Sequence, residues 1–152
     1  MKNVELLVGV TGGVACFKSA ALVSKLVQHG VNVTVVMSAA AEKFVGAATF
    51  AALSGRPVVK DLFDPRFPLG AHIELAEKAS LFCIAPATAD FLAKAASGTA
   101  DDLLSTLYLA FNKPVIMAPA MNSSMWEHPA VQRNVSRLQE DGVQLVGPEA
   151  GW

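Results

Sequence analysis

The sequence predicts a doubly wound α/β domain built on a parallel sheet, and three observations carry that expectation. Short apolar runs at residues 4–10, 31–37, 81–85, 115–118 and 144–146 have the length and composition of buried strands. Helix-length stretches separate them, at 14–29, 40–53, 89–96 with 100–110, and 129–141. Such alternation calls for right-handed crossovers between parallel strands. The composition agrees, because 53% of the 152 residues are hydrophobic and only 16% charged, where about a quarter charged is usual. Strands covered by helices on both faces use apolar residues at that rate, and surface buried between subunits would use more. A chain of this length forms one domain with a substantial core.

Each element carries its own signals. The first run passes into Gly9-Val10-Thr11-Gly12-Gly13-Val14-Ala15. This turn lacks the G-x-G-x-x-G spacing, and Phe17 stands where a P-loop preceding Lys18-Ser19 needs its second glycine. Run 81–85 also lacks an aspartate for magnesium, so a nucleotide triphosphatase is rejected. What remains is either a plain tight turn or a glycine turn that aims amide groups and a helix dipole at an anion. Gly30 and Gly142 fall where helices should stop. Ser38 follows the second strand, placed either to bond a phosphate or to cap the next helix. Residues 54–70, with Pro57, Pro65 and Pro68, form a long irregular excursion of the kind that is often functional. It delivers the chain to Ala71-His72-Ile73-Glu74-Leu75, read as loop before the third strand. His72 is either structural or a candidate for chemistry. His29 at a helix C-terminus and His128 at a helix start are read as structural. In Pro119-Ala120-Met121-Asn122-Ser123-Ser124-Met125-Trp126, Asn122 is a helix cap or a neutral group able to donate to and accept from a substrate carboxylate.

Several function classes are excluded by what is missing. A net charge of −1 offers no basic stripe for nucleic acid. No apolar run approaches membrane-span length. Met1-Lys2 and the apolar stretch up to Cys16 imitate a lipoprotein leader, but Glu5 and Gly12-Gly13 interrupt it. Cys16 and Cys83 suggest neither a disulfide nor a metal site, and the cytoplasm is the expected location. Doubly wound sheets bind ligands beyond the carboxyl ends of their strands. Thr11-Gly12-Gly13, Ser38, Pro86-Ala87-Thr88-Ala89-Asp90 and Pro119-Ala120-Met121-Asn122 occupy those places and are rich in small residues.

Together, Gly9-x-Thr-Gly-Gly-x-Ala, Ala85-Pro86-Ala87-Thr88-Ala89-Asp90, Ala100-Asp101-Asp102-Leu103-Leu104-Ser105 and Pro119-Ala120-Met121-Asn122-x-x-Met125-Trp126 resemble the homo-oligomeric flavin-containing cysteine decarboxylases along the whole chain. The resemblance implies a flavodoxin-like, Rossmann-like domain over 1–152 that binds FMN. Gly12, Gly13, Val14, Ser38, Ala40, Thr88, Ala89, Asp90, Phe91 and Ser105 would meet the cofactor, with its ring near Ala120 and Phe44 against the flavin of a neighbouring subunit. His72 would be the active-site histidine handling a substrate proton, and Asn122, with Met125, would hold the cysteinyl carboxyl end. The implied reaction converts 4′-phosphopantothenoylcysteine to 4′-phosphopantetheine in coenzyme A synthesis. Flavin oxidises the substrate to a thioaldehyde, from which carbon dioxide can leave. A lantibiotic-type peptidyl-cysteine decarboxylase and a non-catalytic FMN-binding subunit are the alternatives.

The family forms trimers or dodecamers and is often fused to a ligase domain. Two departures stand out. The family's Pro-Ala-Ser-Ala-Asn-Thr motif carries Thr88, Asp90 and Phe91 here, which changes contacts. The sequence also ends at Pro148-Glu149-Ala150-Gly151-Trp152, where the family continues into a substrate-covering flap bearing a cysteine, so the expectation is a piece without that flap.

Overall fold

A computed structural model describes residues 3–148; the end segment 149–152, the leader-like Met1-Lys2 and any flap lie outside the described residues. Five parallel strands form one sheet in the order β2-β1-β3-β4-β5. They are β1 (Glu5–Val10), β2 (Asn32–Met37), β3 (Leu81–Ala87), β4 (Val115–Pro119) and β5 (Gln144–Leu145). Helices α1 (Cys16–Gln28), α2 (Ala47–Ser54), α3 (Ala71–Lys78), α4 (Ala89–Ser97), α5 (Leu103–Ala110), α6 (Ser123–Glu127) and α7 (Pro129–Glu140) connect them. The doubly wound expectation therefore holds.

Alternation along each strand divides the core in two. Leu6, Val8 and Val10 pack with Val33, Val35, Val23 and Phe50 on the α1–α2 side. Leu7, Phe82, Ile84 and Met117 pack with Leu92, Leu104, Leu107 and Leu138 on the other. Each fully buried aliphatic side chain contributes about 1.5–3 kcal/mol. Gly9 brings the second layer close, since a Cβ there would stand 2.8 Å from Leu104 Cδ1 and 3.1 Å from Phe82 Cε1. Helix α1 ends at Gly30 (φ 85°) and the last helix at Gly142 (φ 94°), as their sequence predicts.

Two segments differ from expectation. Residues 40–53 are not one helix but a 3-10 turn, Ala40–Lys43, followed by α2. Gly46 separates them in an extended conformation (φ −70°, ψ 151°), which costs glycine little and breaks the helical ladder. Residues 71–78, read as loop, form α3. Its Ala71, Leu75 and Ala76 are buried at helical spacing, a period too short to stand out beside the proline-rich stretch.

That stretch is ordered by specific ties. Val59 bridges to β2 through Val59 N–H to Val35 O (3.0 Å) and Met37 N–H to Val59 O (3.2 Å). Arg56 forks onto both Glu5 oxygens (3.0 and 3.1 Å) and donates to Thr34 Oγ1. Arg66 donates to the Asp64 carboxylate and to Val58 O. The Arg66 guanidinium beside it holds the Asp64 carboxyl down at about 2, against an ordinary 3.8. A depressed folded-state pKa adds stability above the unfolded value and loses it as pH falls through the folded one. Asp64→Asn should therefore unfold at lower urea than the wild type at pH 7. The gap should close as pH falls from 3.8 towards about 2; a gap independent of pH would show that the carboxylate charge is not what orders this segment.

Candidate functional site

The carboxyl ends of β1 and β3 meet at the point where strand order reverses, and a side-chain clasp joins them. Thr11 is buried, and its hydroxyl donates to Pro86 O at 2.5 Å while accepting from Thr88 N–H at 3.0 Å. Thr11 N–H also donates to Pro86 O (3.3 Å). Ser19 Oγ donates to Ala85 O (2.6 Å), and the Cys16 thiol donates to Thr11 O (3.1 Å). The β3–β4 register shifts between Ile84 and Ala87, where Pro86 has no N–H to give the ladder.

Above the clasp opens a cavity of about 780 Å³. One wall is the turn 11–15 at the start of α1. A Cβ on Gly12 would lie 2.5 Å from Ala40 Cβ and 2.9 Å from its carbonyl carbon, so only glycine fits. The amides of Gly12, Gly13 and Val14 donate to no described residue and are available to an anion. Ser38 adds a hydroxyl, whose Oγ also accepts a long bond from Ala41 N–H (3.4 Å), but the N-cap residue of the 3-10 turn is Ala39 and not Ser38. Opposite, Thr88 caps α4 by accepting from Phe91 N–H (3.2 Å). Lys94 bridges Asp90 (3.2 Å) and Asp101 (3.3 Å). Partial burial works against its ammonium, but the two carboxylates outweigh it and raise its pKa.

Ala120, Met121, Asn122 and Met125 form the wall after β4. Asn122 caps α6, its Oδ1 accepting from Met125 N–H at 2.9 Å. Its acceptor is thus occupied, and the side-chain NH₂, without a partner among the described residues, is what Asn122 offers the cavity.

The cavity unites Gly12, Gly13, Val14, Ser38, Ala40, Thr88, Ala89, Asp90, Phe91, Ala120, Asn122 and Met125. Three further candidates stand outside its wall. Ser105 is 1% exposed, and its hydroxyl and amide are engaged with Asp101 and Asp102 in the capping box of α5. Phe44 lies on the surface, 52% exposed. His72, at the start of α3, is not among the residues that line the cavity.

Sequence reasoning gave no role of their own to Thr11, Lys94 and Asp102, although Thr11 stood in an expected ligand loop and Asp102 in a shared motif. The i,i+4 pairing of Asp90 with Lys94 was the available signal for the second. Cys83 is pushed up to about 11 and Cys16 upward by burial, so neither thiol is a ready nucleophile. Among the described residues no group of three or more His, Cys, Asp or Glu converges as metal ligands, and no helix is long and apolar enough to cross a membrane.

A parallel sheet of order 2-1-3-4-5, with an amide-lined turn and an apolar-walled cavity at its switch point, defines a flavodoxin-like protein. Residues 1–151 match the family described as Flavoprotein, and the chain belongs to it. It is 46% identical over 153 residues to the coenzyme A biosynthesis bifunctional protein CoaBC of Bacillus subtilis, covering 100% of this chain and 38% of that protein. It is 45% identical to CoaBC of Mycobacterium tuberculosis over 97% of this chain and 35% of the relative. The chain thus spans well under half the length of these relatives. Among solved structures, the FMN-dependent cysteine decarboxylase SpaF superposes with a TM-score of 0.93 at 41% identity, over 97% of this chain and 86% of that one. A PPC decarboxylase mutant complexed with pantothenoylaminoethenethiol superposes with a TM-score of 0.85 at 28% identity, over 98% and 84%.

The Thr11 clasp generates a prediction. Thr11→Val keeps the shape but strips Thr88 N–H of its acceptor and should cost about 1–3 kcal/mol in urea unfolding. Thr11→Ser should stay near the wild type. Equal stability of all three would remove the clasp from the account.

Proposed function

We propose that this chain is an FMN-binding domain that decarboxylates 4′-phosphopantothenoylcysteine to 4′-phosphopantetheine in coenzyme A biosynthesis. The observation that carries the reading is that 46% identity to a CoaBC protein extends over the whole chain, the segments lining the cavity included. The likeness to a PPC decarboxylase seen with pantothenoylaminoethenethiol supports the same substrate.

The residues fit the cofactor. The free amides of Gly12, Gly13 and Val14, the Ser38 hydroxyl and the α1 dipole suit a phosphate. Ala120, Met121 and Met125 offer apolar contact to a flat ring. When bound, FMN would supply a reversible two-electron acceptor: a cysteine derivative oxidised to a thioaldehyde can release carbon dioxide, and return of the two electrons with a proton leaves a redox-neutral decarboxylation to the thiol. Asn122, its acceptor tied up in the cap, donates its NH₂ to the substrate carboxylate and orients it. His72 meets the reacting end of the substrate. Because it lies outside this chain's own cavity, assembly must bring it there.

A trimer, alone or within a dodecamer, accounts for that and for the exposure of Val14 (60%), Phe17 (57%) and Phe44 (52%), which a neighbouring copy would cover. The cytoplasm is the proposed location, and a ligase domain the proposed partner in the whole protein. A peptidyl-cysteine decarboxylase is the second reading, since the likeness to the FMN-dependent cysteine decarboxylase SpaF fits a free or a peptidyl cysteine equally.

The purified protein should be yellow and release FMN on denaturation. Given phosphopantothenoylcysteine and a peptide ending in cysteine, it should release carbon dioxide only with the first; release only with the peptide would favour the second reading. Asn122→Asp preserves an N-cap and should leave the melting temperature and bound FMN unchanged. Its like charge against the substrate carboxylate should lower decarboxylation by about 100-fold or more. His72→Asn should likewise keep FMN and lose turnover. Normal turnover in either variant would take that residue out of the site.

A further inference from the structure

The chain fixes the His72 ring in a particular way. Nδ1 is buried and has no hydrogen-bond partner among the described residues. The ring lies against Gly70, where a Cβ would stand 3.2 Å from His72 Cε1 and 3.4 Å from Nδ1. Gly70 has φ 104°, a conformation that side chains rarely allow, and any side chain there would also press on the imidazole. The turn is held firmly: Gly70 N–H donates to Phe67 O (2.9 Å), Glu74 N–H to Gly70 O (3.0 Å), and Leu69 N–H to Glu74 Oε2 (3.0 Å). His72 as a whole is only partly buried, and Nε2 retains access to solvent.

A neutral imidazole carries one N–H and one lone pair, on different nitrogens. Sealing either away from water without a partner incurs a desolvation penalty, and folded proteins leave buried acceptors under-satisfied more readily than they orphan a buried N–H. We infer that Gly70 is a positioning residue that locks neutral His72 as the Nε2–H tautomer, with its Nδ1 lone pair against the glycine. The enclosure of Nδ1 is made by this chain alone, so a second copy cannot supply the missing partner. Resting on the decarboxylase reading, the inference changes what His72 does. It offers the substrate an Nε2–H hydrogen bond, aimed at an anionic oxygen or sulfur, and does not take a proton there. The only lone pair is the sealed one.

The test is a long-range proton–nitrogen spectrum of FMN-loaded protein labelled in histidine, recorded near pH 8, above the ordinary histidine range. His72→Asn assigns the signals. The expected result is an unprotonated Nδ1 and a protonated Nε2 with no averaging between tautomers. A protonated Nδ1, or averaged nitrogens, in the wild type overturns the inference without any variant having to fold. Gly70→Ala should disturb these signals and lower kcat by about 10²-fold with KM little changed. A Gly70→Ala protein with the wild-type spectrum and kcat would remove Gly70 from the account. The spectrum needs no turnover, so it decides the tautomer even if the substrate assignment fails.

Discussion

The Thr11 hydroxyl, donating to Pro86 O while accepting from Thr88 N–H, is the contact on which the rest of the site depends. It couples the first strand to the third across about half of the sequence, at the place where the chain begins winding in the other direction. With β1 and β3 tied there, the turn at Gly12 must rise beside Ala40, and the start of α4 must face it across the gap. Every other group in the cavity is placed relative to those two walls. The hydroxyl is buried, so its two bonds are made at low dielectric, where losing either partner leaves an uncompensated polar group.

The cavity's electrostatics follow from its architecture. Among the described residues no lysine cluster lines the cavity. The turn's unpaired amides and the helix dipole instead suit an anion, and they carry no net charge and suffer no mutual repulsion. Lys94 is the cavity's cation among the described residues, and it is shared between Asp90 and Asp101. Asn122 shows the same economy: a local need, capping a five-residue helix, orients the amide that a substrate carboxylate would meet.

Much of this was legible in the sequence because it depends on local patterns. Five buried strands show as apolar runs, and the loops at their carboxyl ends show as small-residue motifs, so the cavity's lining could be named almost completely. What stayed hidden depends on partners distant in sequence. Nothing near Gly12 announces that Ala40 will sit 2.5 Å from its would-be Cβ. Ser105 belongs to a shared motif, yet its hydroxyl is engaged in capping α5. Helix α3 was missed because its apolar period spans only two turns after a proline-rich segment. His72 and Phe44 do not line the cavity, and no local pattern in the sequence announces that.

The central claim is that a clasped, amide-lined turn makes this cavity a phosphate-terminated flavin site. Calorimetric titration of FMN and of riboflavin into flavin-stripped protein tests it most directly, since the two ligands differ only in the phosphate. Charge-assisted hydrogen bonds from the turn are worth about 1.5–3 kcal/mol each. FMN should therefore bind at least about 100-fold tighter than riboflavin, and Gly12→Ala should erase most of the difference. Equal affinity for the two flavins in the wild-type protein would contradict the account.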